Sequence, residues 1–236
     1  MKWLPSWLGK IYATLYSEFA DKEFSLEDAV KIINRPYSYV KVAISQLCKF
    51  GWCLREDRGV YRLLKPLECI LTLANAIINL DKIPCKEYIP LIRKTITEIY
   101  EIFTSNLLAI ILFGSIARGE AKSNSDIDLL IIVNNLPKSY FKRASILAQV
   151  VSKTRSERIK LWSKKIYTSL QILAYTPEEL KSFHSFYFDL AFDGIILYSR
   201  NGYAENFLNR VRKEIELMKA RKIYTSRRKW YWIIGL

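Results

Sequence analysis

The chain has 236 residues, 50% of them hydrophobic and 25% charged, with 8 Gly and 7 Pro. That composition excludes collagen-like, low-complexity and intrinsically disordered classes and leaves room for two modules with real cores. The longest apolar runs, Leu107–Phe113 and Leu129–Val133, fall well short of the ~18 residues of a membrane helix. The amino-terminal stretch shows no secretory cleavage pattern, so the expectation is an intracellular, cytoplasmic protein with no membrane partner. Cys48, Cys53, Cys69 and Cys85 form no C-x-x-C pair and read as reduced thiols. A net charge of +14 favours polyanionic partners such as nucleic acid.

Residues 1–65 carry the first module. Trp7, Leu8, Ile11, Leu15 and Phe19 recur at helical spacing, and Ser25 with Asp28 three residues on marks the start of a second helix. Pro36 opens a third, whose stripe Val40, Ala43, Ile44 and Leu47 ends at Gly51. Two short strands, 52–54 and 60–63, flank the turn Glu56-Asp57-Arg58-Gly59. This order resembles the winged helix-turn-helix domains of bacterial and archaeal regulators. The resemblance implies DNA or RNA binding through Tyr37, Ser38, Tyr39, Lys41, Ser45, Gln46 and Lys49 on the third helix, and through Arg58 and Arg62 on the wing. Winged helices also dock proteins, and the sequence leaves both uses open.

Residues 66–105 read as a helical connector with two apolar stripes, Leu67 to Ile78 and Ile92 to Phe103, interrupted at Pro84 and Pro90. The next module, 106–200, opens with the buried strand Leu107–Phe113, which meets Gly114-Ser115 and a segment able to start a helix. A glycine there admits a phosphate that a Cβ would exclude, and backbone N–H groups at a helix start favour anions. Separated from Ser115 by ten residues, Asp126-Ile127-Asp128 heads a second apolar strand. Alternation sets both carboxylates on one face, where they need a cation such as Mg²⁺.

Gly114, Ser115, Arg118, Gly119, Asp126 and Asp128, set between two strands, are similar to the motif of the DNA polymerase beta-like nucleotidyltransferase superfamily. The resemblance implies an α+β fold with a mixed sheet. It also implies Mg²⁺ (or Mn²⁺) on Asp126 and Asp128, triphosphate contacts from Gly114 and Ser115, a nucleotide-binding Arg118 and a steric role for Gly119. Transfer of an NMP from an NTP to a hydroxyl of RNA, a protein or a small molecule would follow, and some small relatives modify a toxin protein with which they pair. Active members add a third carboxylate on a later strand; here Gln171 holds that position, a neutral amide that is a very poor base. Glu178 or Asp193 reaching the site, another base, or binding without turnover are the alternatives. A non-catalytic DNA-binding regulator with a degenerate nucleotide-binding domain is the competing function. Asp193 otherwise reads as a turn residue before Gly194, and His184 as a surface or loop histidine.

Between 138 and 165 nine basic side chains face Glu157 alone, a run that is a solvated face or a guide for a polyanionic acceptor. The segment 201–236 reads as a closing helix followed by a basic tail. Its Arg227, Arg228 and Lys229, among Tyr224, Trp230, Tyr231 and Trp232, suit either phosphate binding or packing.

Overall fold

A computed structural model of the chain describes residues 1–225 and 230–235. The chain divides into two compact units, Met1–Ala76 and Ile77–Leu236. The helical stretch 66–105 is shared between them. Arg227, Arg228 and Lys229 lie outside the described residues, as do the side chains of Tyr224 and Trp230.

The first unit runs α1 (Ser6–Phe19), β1 (Glu23–Ser25), α2 (Leu26–Ile33), α3 (Tyr37–Phe50), β2 (Cys53–Asp57), β3 (Val60–Leu63) and α4 (Pro66–Leu73). Ser25 caps α2 by a reciprocal pair of bonds: its hydroxyl accepts from the Asp28 N–H, and its own N–H donates to the Asp28 carboxylate. Gly51 ends α3 at φ +86°, a left-handed conformation that favours glycine, and its N–H bonds the carbonyls of Cys48 and Leu47. The strands form a sheet in the order β1-β3-β2, both pairings antiparallel. Leu8, Leu15, Val40, Ala43, Ile44, Leu47 and Leu63 fill the core, and Cys69 of α4 joins them. All four cysteines are free thiols.

The hairpin corrects one expectation. Arg62 is only 6% exposed, and its Nε lies 2.6 Å from Glu56 Oε1 across the β2–β3 turn. It is a buried structural pair and does not reach the surface of the wing.

The second unit begins with α5 (Ile89–Phe103), which takes Pro90 into its first turn where no N–H is needed, so the proline starts the helix and does not break it. It continues through β4 (Leu107–Phe113), α6 (Gly114–Arg118), β5 (Ile127–Val133), α7 (Tyr140–Lys153), α8 (Arg155–Ser163), β6 (Leu170–Tyr175), α9 (Tyr187–Asp193), β7 (Ile195–Ser199), α10 (Tyr203–Leu217), β8 (Arg221–Tyr224) and β9 (Trp230–Ile233). The main sheet has the order β6-β5-β4-β7. It is mixed: β4 is antiparallel to β5 and β7, while β5 and β6 run parallel. Ala109, Ile111, Phe113, Leu130 and Ile132 project from one face into a core with α9 and α10. On the other side α5 packs against β4, α7 and α8. Since β4 and β5 are buried on both faces, their sequences are continuous apolar runs and not alternating ones. The polar residues are pushed to the strand ends, and the site forms there.

Candidate active site

The end of β4 and the start of β5 meet, with Phe113 opposite Asp128. Directly after Phe113 the chain turns through Gly114 at φ +75°. A Cβ at Gly114 would lie 2.1 Å from Asp128 Oδ2, so no other residue leaves that carboxylate where it is. The glycine-serine turn and the acid strand therefore line the same hollow. Gly119 ends α6 at φ +74°, and a Cβ there would crowd Pro84 at 3.1 Å. Its contribution is to the path of the chain.

Asp126 sits just ahead of β5. Its Oδ1 accepts bonds from the Ser169 hydroxyl (2.7 Å) and the Ser169 N–H (3.2 Å). Asp128 is half-buried and accepts no hydrogen bond among the described residues. Burial, and then the charge of Asp126, push its pKa up to about 6; Arg118 opposes the shift and Asp189 adds to it. Two carboxylates, one fixed by a serine and the other held against its ionisation, form a hard-oxygen donor set that suits a divalent cation completed by phosphate oxygens. No group of three or more His, Cys, Asp or Glu that could hold a metal ion occurs among the described residues.

Gln171 pairs in register with Asp128 across the parallel β5–β6 ladder. The amide thus stands where a third strand would present a carboxylate. Glu178 and Glu179 are engaged elsewhere: Glu178 pairs with Lys181, and Glu179 with Arg143 at 2.6 Å. Asp193 belongs to the end of α9, and its Oδ2 lies 3.7 Å from Arg118 Nη1 and 3.5 Å from Lys222 Nζ. His184 is a half-buried loop residue whose Nε2 contacts the Glu179 carbonyl at 3.0 Å, among Tyr175, Phe186 and Tyr187.

Arg118 is held by α9 as well as by its own loop. Its Nε lies 2.8 Å from Glu120 Oε2, and its Nη1 lies 3.6 Å from Asp189 Oδ1. The guanidinium is committed to these carboxylates, and its charge reaches Asp128 only through space. Ser115 remains half-buried at the start of α6. Two participants escaped the sequence reading, Ser169 and Asp189. The four-residue spacing of Asp189 and Asp193 on one helix face was a usable signal; Ser169 had none beyond its place two residues before Gln171.

On the first unit, Tyr37, Ser38, Tyr39, Lys41, Ser45 and Lys49 of α3 are exposed, Gln46 is half-buried, and Arg58 is exposed in the β2–β3 turn. Tyr39 also leans on Trp7, with ring centroids 6.0 Å apart.

A family model describing a nucleotidyltransferase domain matches residues 92–224. A protein of Methanocaldococcus jannaschii, described as a candidate protein adenylyltransferase, is 32% identical over 117 residues, which cover 50% of this chain and 76% of that protein. Among solved structures, a toxin-antitoxin with AMP-PNP aligns at 17% identity over 53% of this chain and 87% of the other, with a TM-score of 0.39. A candidate nucleotidyltransferase from Sulfolobus solfataricus aligns at 19% identity over 50% and 87%, with a TM-score of 0.29.

Proposed function

The chain belongs to the nucleotidyltransferase-domain family, and from that premise we propose that it moves an NMP, AMP foremost, from an NTP to a hydroxyl of a protein acceptor with the help of Mg²⁺ or Mn²⁺. The observation that carries this reading is the contact between the Gly114 turn and Asp128, which puts a space for phosphate and a pair of acids in one hollow. The preference for AMP and for a protein acceptor follows the description of the M. jannaschii relative.

In this reading Asp126 and Asp128 would hold the cation, which would supply charge to offset the phosphates and to acidify the attacking hydroxyl. Gly114 leaves room for a phosphate oxygen, and the Ser115 hydroxyl donates to it. Ser169 keeps Asp126 aimed into the hollow. Arg118, anchored on α9, sets a positive charge beside Asp128 that favours its ionised form. The acceptor oxygen bonds the α-phosphorus as the bond to pyrophosphate breaks. Gln171, in register with Asp128, takes no proton, so the acceptor's proton leaves to solvent. With no base at that position, turnover is expected to be slow and to rise in Gln171→Asp.

The exposed face of α3 supports a second role. We read the first unit as a winged helix whose α3 and β2–β3 turn bind nucleic acid, with Arg62 left out of that surface. If transfer is absent, this module makes the protein a DNA-binding regulator.

The test incubates the full chain with Mg²⁺ or Mn²⁺ and each labelled NTP, with lysate protein and, separately, RNA. Label transferred to protein, lost in Asp126→Asn and increased in Gln171→Asp, is the expected result. Duplex binding with no labelled product from either the native chain or Gln171→Asp assigns the regulator instead.

A further inference from the structure

A cavity of about 310 Å³ lies within the second unit between β7, an edge strand of the main sheet, α10 and the single helical turn Leu80–Lys82. Neither the Gly114-Ser115 turn nor Asp126, Asp128 or Gln171 lines it, so it is separate from the hollow described above. Its volume falls at the lower end of the range of small-molecule sites. Ile195, Ile196 and Leu208 make its apolar wall.

Five polar side chains complete the lining, and four of them are held in place. On α10, Glu205, Asn209 and Arg212 follow at spacings of four and three and so share one face of the helix. The Glu205 carboxylate accepts from the Ser199 hydroxyl at the end of β7. Arg212 donates from Nε to the Ala191 carbonyl of α9 (2.9 Å) and from Nη1 to Asn209 Oδ1 (3.3 Å), while its Nη2 makes no hydrogen bond among the described residues. Asn79 donates from Nδ2 to the Ile196 carbonyl (2.8 Å), which leaves its own side-chain oxygen for another donor. The ammonium of Lys82 has no hydrogen bond or ion pair among the described residues, so it serves no contact of the fold.

The opposite charges on α10 stand apart. Glu205 and Arg212 are separated by two turns of helix, about 10 Å, with Leu208 and Asn209 between them. An occupant that satisfies the lining carries an anion near Arg212, a hydrogen-bond donor near Glu205, and between them a body with an apolar face and polar edges. Two cations, Lys82 and Arg212, suit a doubly charged phosphate better than a single carboxylate. The amides of Asn79 and Asn209 pair with the edge of a heterocycle or with sugar hydroxyls, and would find nothing to bond on an aliphatic stem. A nucleic-acid strand gains little from a cavity of this size, and the Glu205 carboxylate opposes a run of phosphates.

We propose that this cavity binds a nucleoside monophosphate. The phosphate sits on Arg212 and Lys82, the base lies on Ile195, Ile196 and Leu208 with its polar edge on the two amides, and an exocyclic amine donates to Glu205. Occupancy here does not depend on nucleotide transfer at the acid pair.

The probe is AMP, titrated calorimetrically into the full chain with EDTA present, so that no divalent cation helps it into the acid-pair hollow. Adenosine lacks the phosphate, inorganic phosphate lacks the base, and 6-aminohexanoate joins a carboxylate to an amine by an aliphatic stem; all three are titrated beside it. AMP is expected to bind on the order of tenfold tighter than each of them. Lys82→Ala and Glu205→Ala are each expected to weaken AMP on the order of tenfold, and Asp128→Asn to leave it unchanged. Lys82 and Glu205 are exposed, and circular dichroism confirms that the variants fold. Absence of AMP binding, or equal binding of adenosine or inorganic phosphate, overturns the proposal. Tighter binding of 6-aminohexanoate overturns it in favour of an aliphatic amino acid. AMP binding that is lost in Asp128→Asn and kept in Lys82→Ala overturns it by placing the nucleotide in the hollow.

Discussion

Helices α3 and α7 are each fourteen residues long, yet they are held by different forces. Helix α3 buries Val40, Ala43, Ile44 and Leu47 to 1% exposure or less and presents mainly tyrosine, serine and lysine outward. Helix α7 buries Val150 and is fastened near both ends by ion pairs: Arg143 to Glu179, and Lys153 to Glu98 and Glu101. The first arrangement is anchored by hydrophobic burial, so its outer face is free to vary for recognition. The second is anchored by charge, which leaves an apolar stripe, Ala144, Leu147, Ala148 and Val151, unfilled.

The contrast can be broken most forcefully at Leu47. Leu47→Ala removes a fully buried side chain and is expected to cost about 2–5 kcal/mol in chemical denaturation of the first unit. A smaller change belongs to Arg143→Ala. Hydrogen bonding and charge from Arg143, with help from Thr176, hold the Glu179 carboxyl down from 4.5 to about 2. A depressed acid stabilises the fold fully above pH 4.5, and that contribution is lost as the pH falls toward 2. In Arg143→Ala the loss at neutral pH is about 1 kcal/mol, reduced by solvent screening of the partly open Glu179. The acid sensitivity between those two pH values then flattens in urea titrations. Smallest of all, Leu147→Ala on the open stripe shifts stability by no more than about 0.5 kcal/mol. A loss at Leu147 comparable to that at Leu47 would show that the stripe is core after all.

Much of the framework was legible because it is encoded locally. The Ser25–Asp28 cap, the Gly51 stop and the uninterrupted runs of β4 and β5 each depend on neighbours in sequence or on plain burial. The position of the acid pair at the head of β5 was legible for the same reason, since the apolar run that follows it marks the strand. What escaped depends on partners far along the chain. Strand β1 has three residues and exists only through its pairing with β3. Arg62 looked like a wing cation until hairpin register set it against Glu56. The spacing of Asp189 and Asp193 marks a shared helix face, but only the packing of α9 on α6 brings that face to Arg118. Pro90, read as part of the break before the second helical stripe, sits in the first turn of α5, so the helix starts slightly earlier than its stripe.

The terminal hairpin leaves one consequence. Trp232 stacks on Phe188 and leans on Phe192, each with ring centroids 4.8 Å away, while Lys222 reaches Asp193, which in turn touches Arg118. The last described stretch of the polypeptide is therefore wired to the guanidinium behind the acid pair through a single intermediate aspartate. Without Lys222, Arg118 alone would balance Asp189 and Asp193, the two carboxylates of α9 on which it rests.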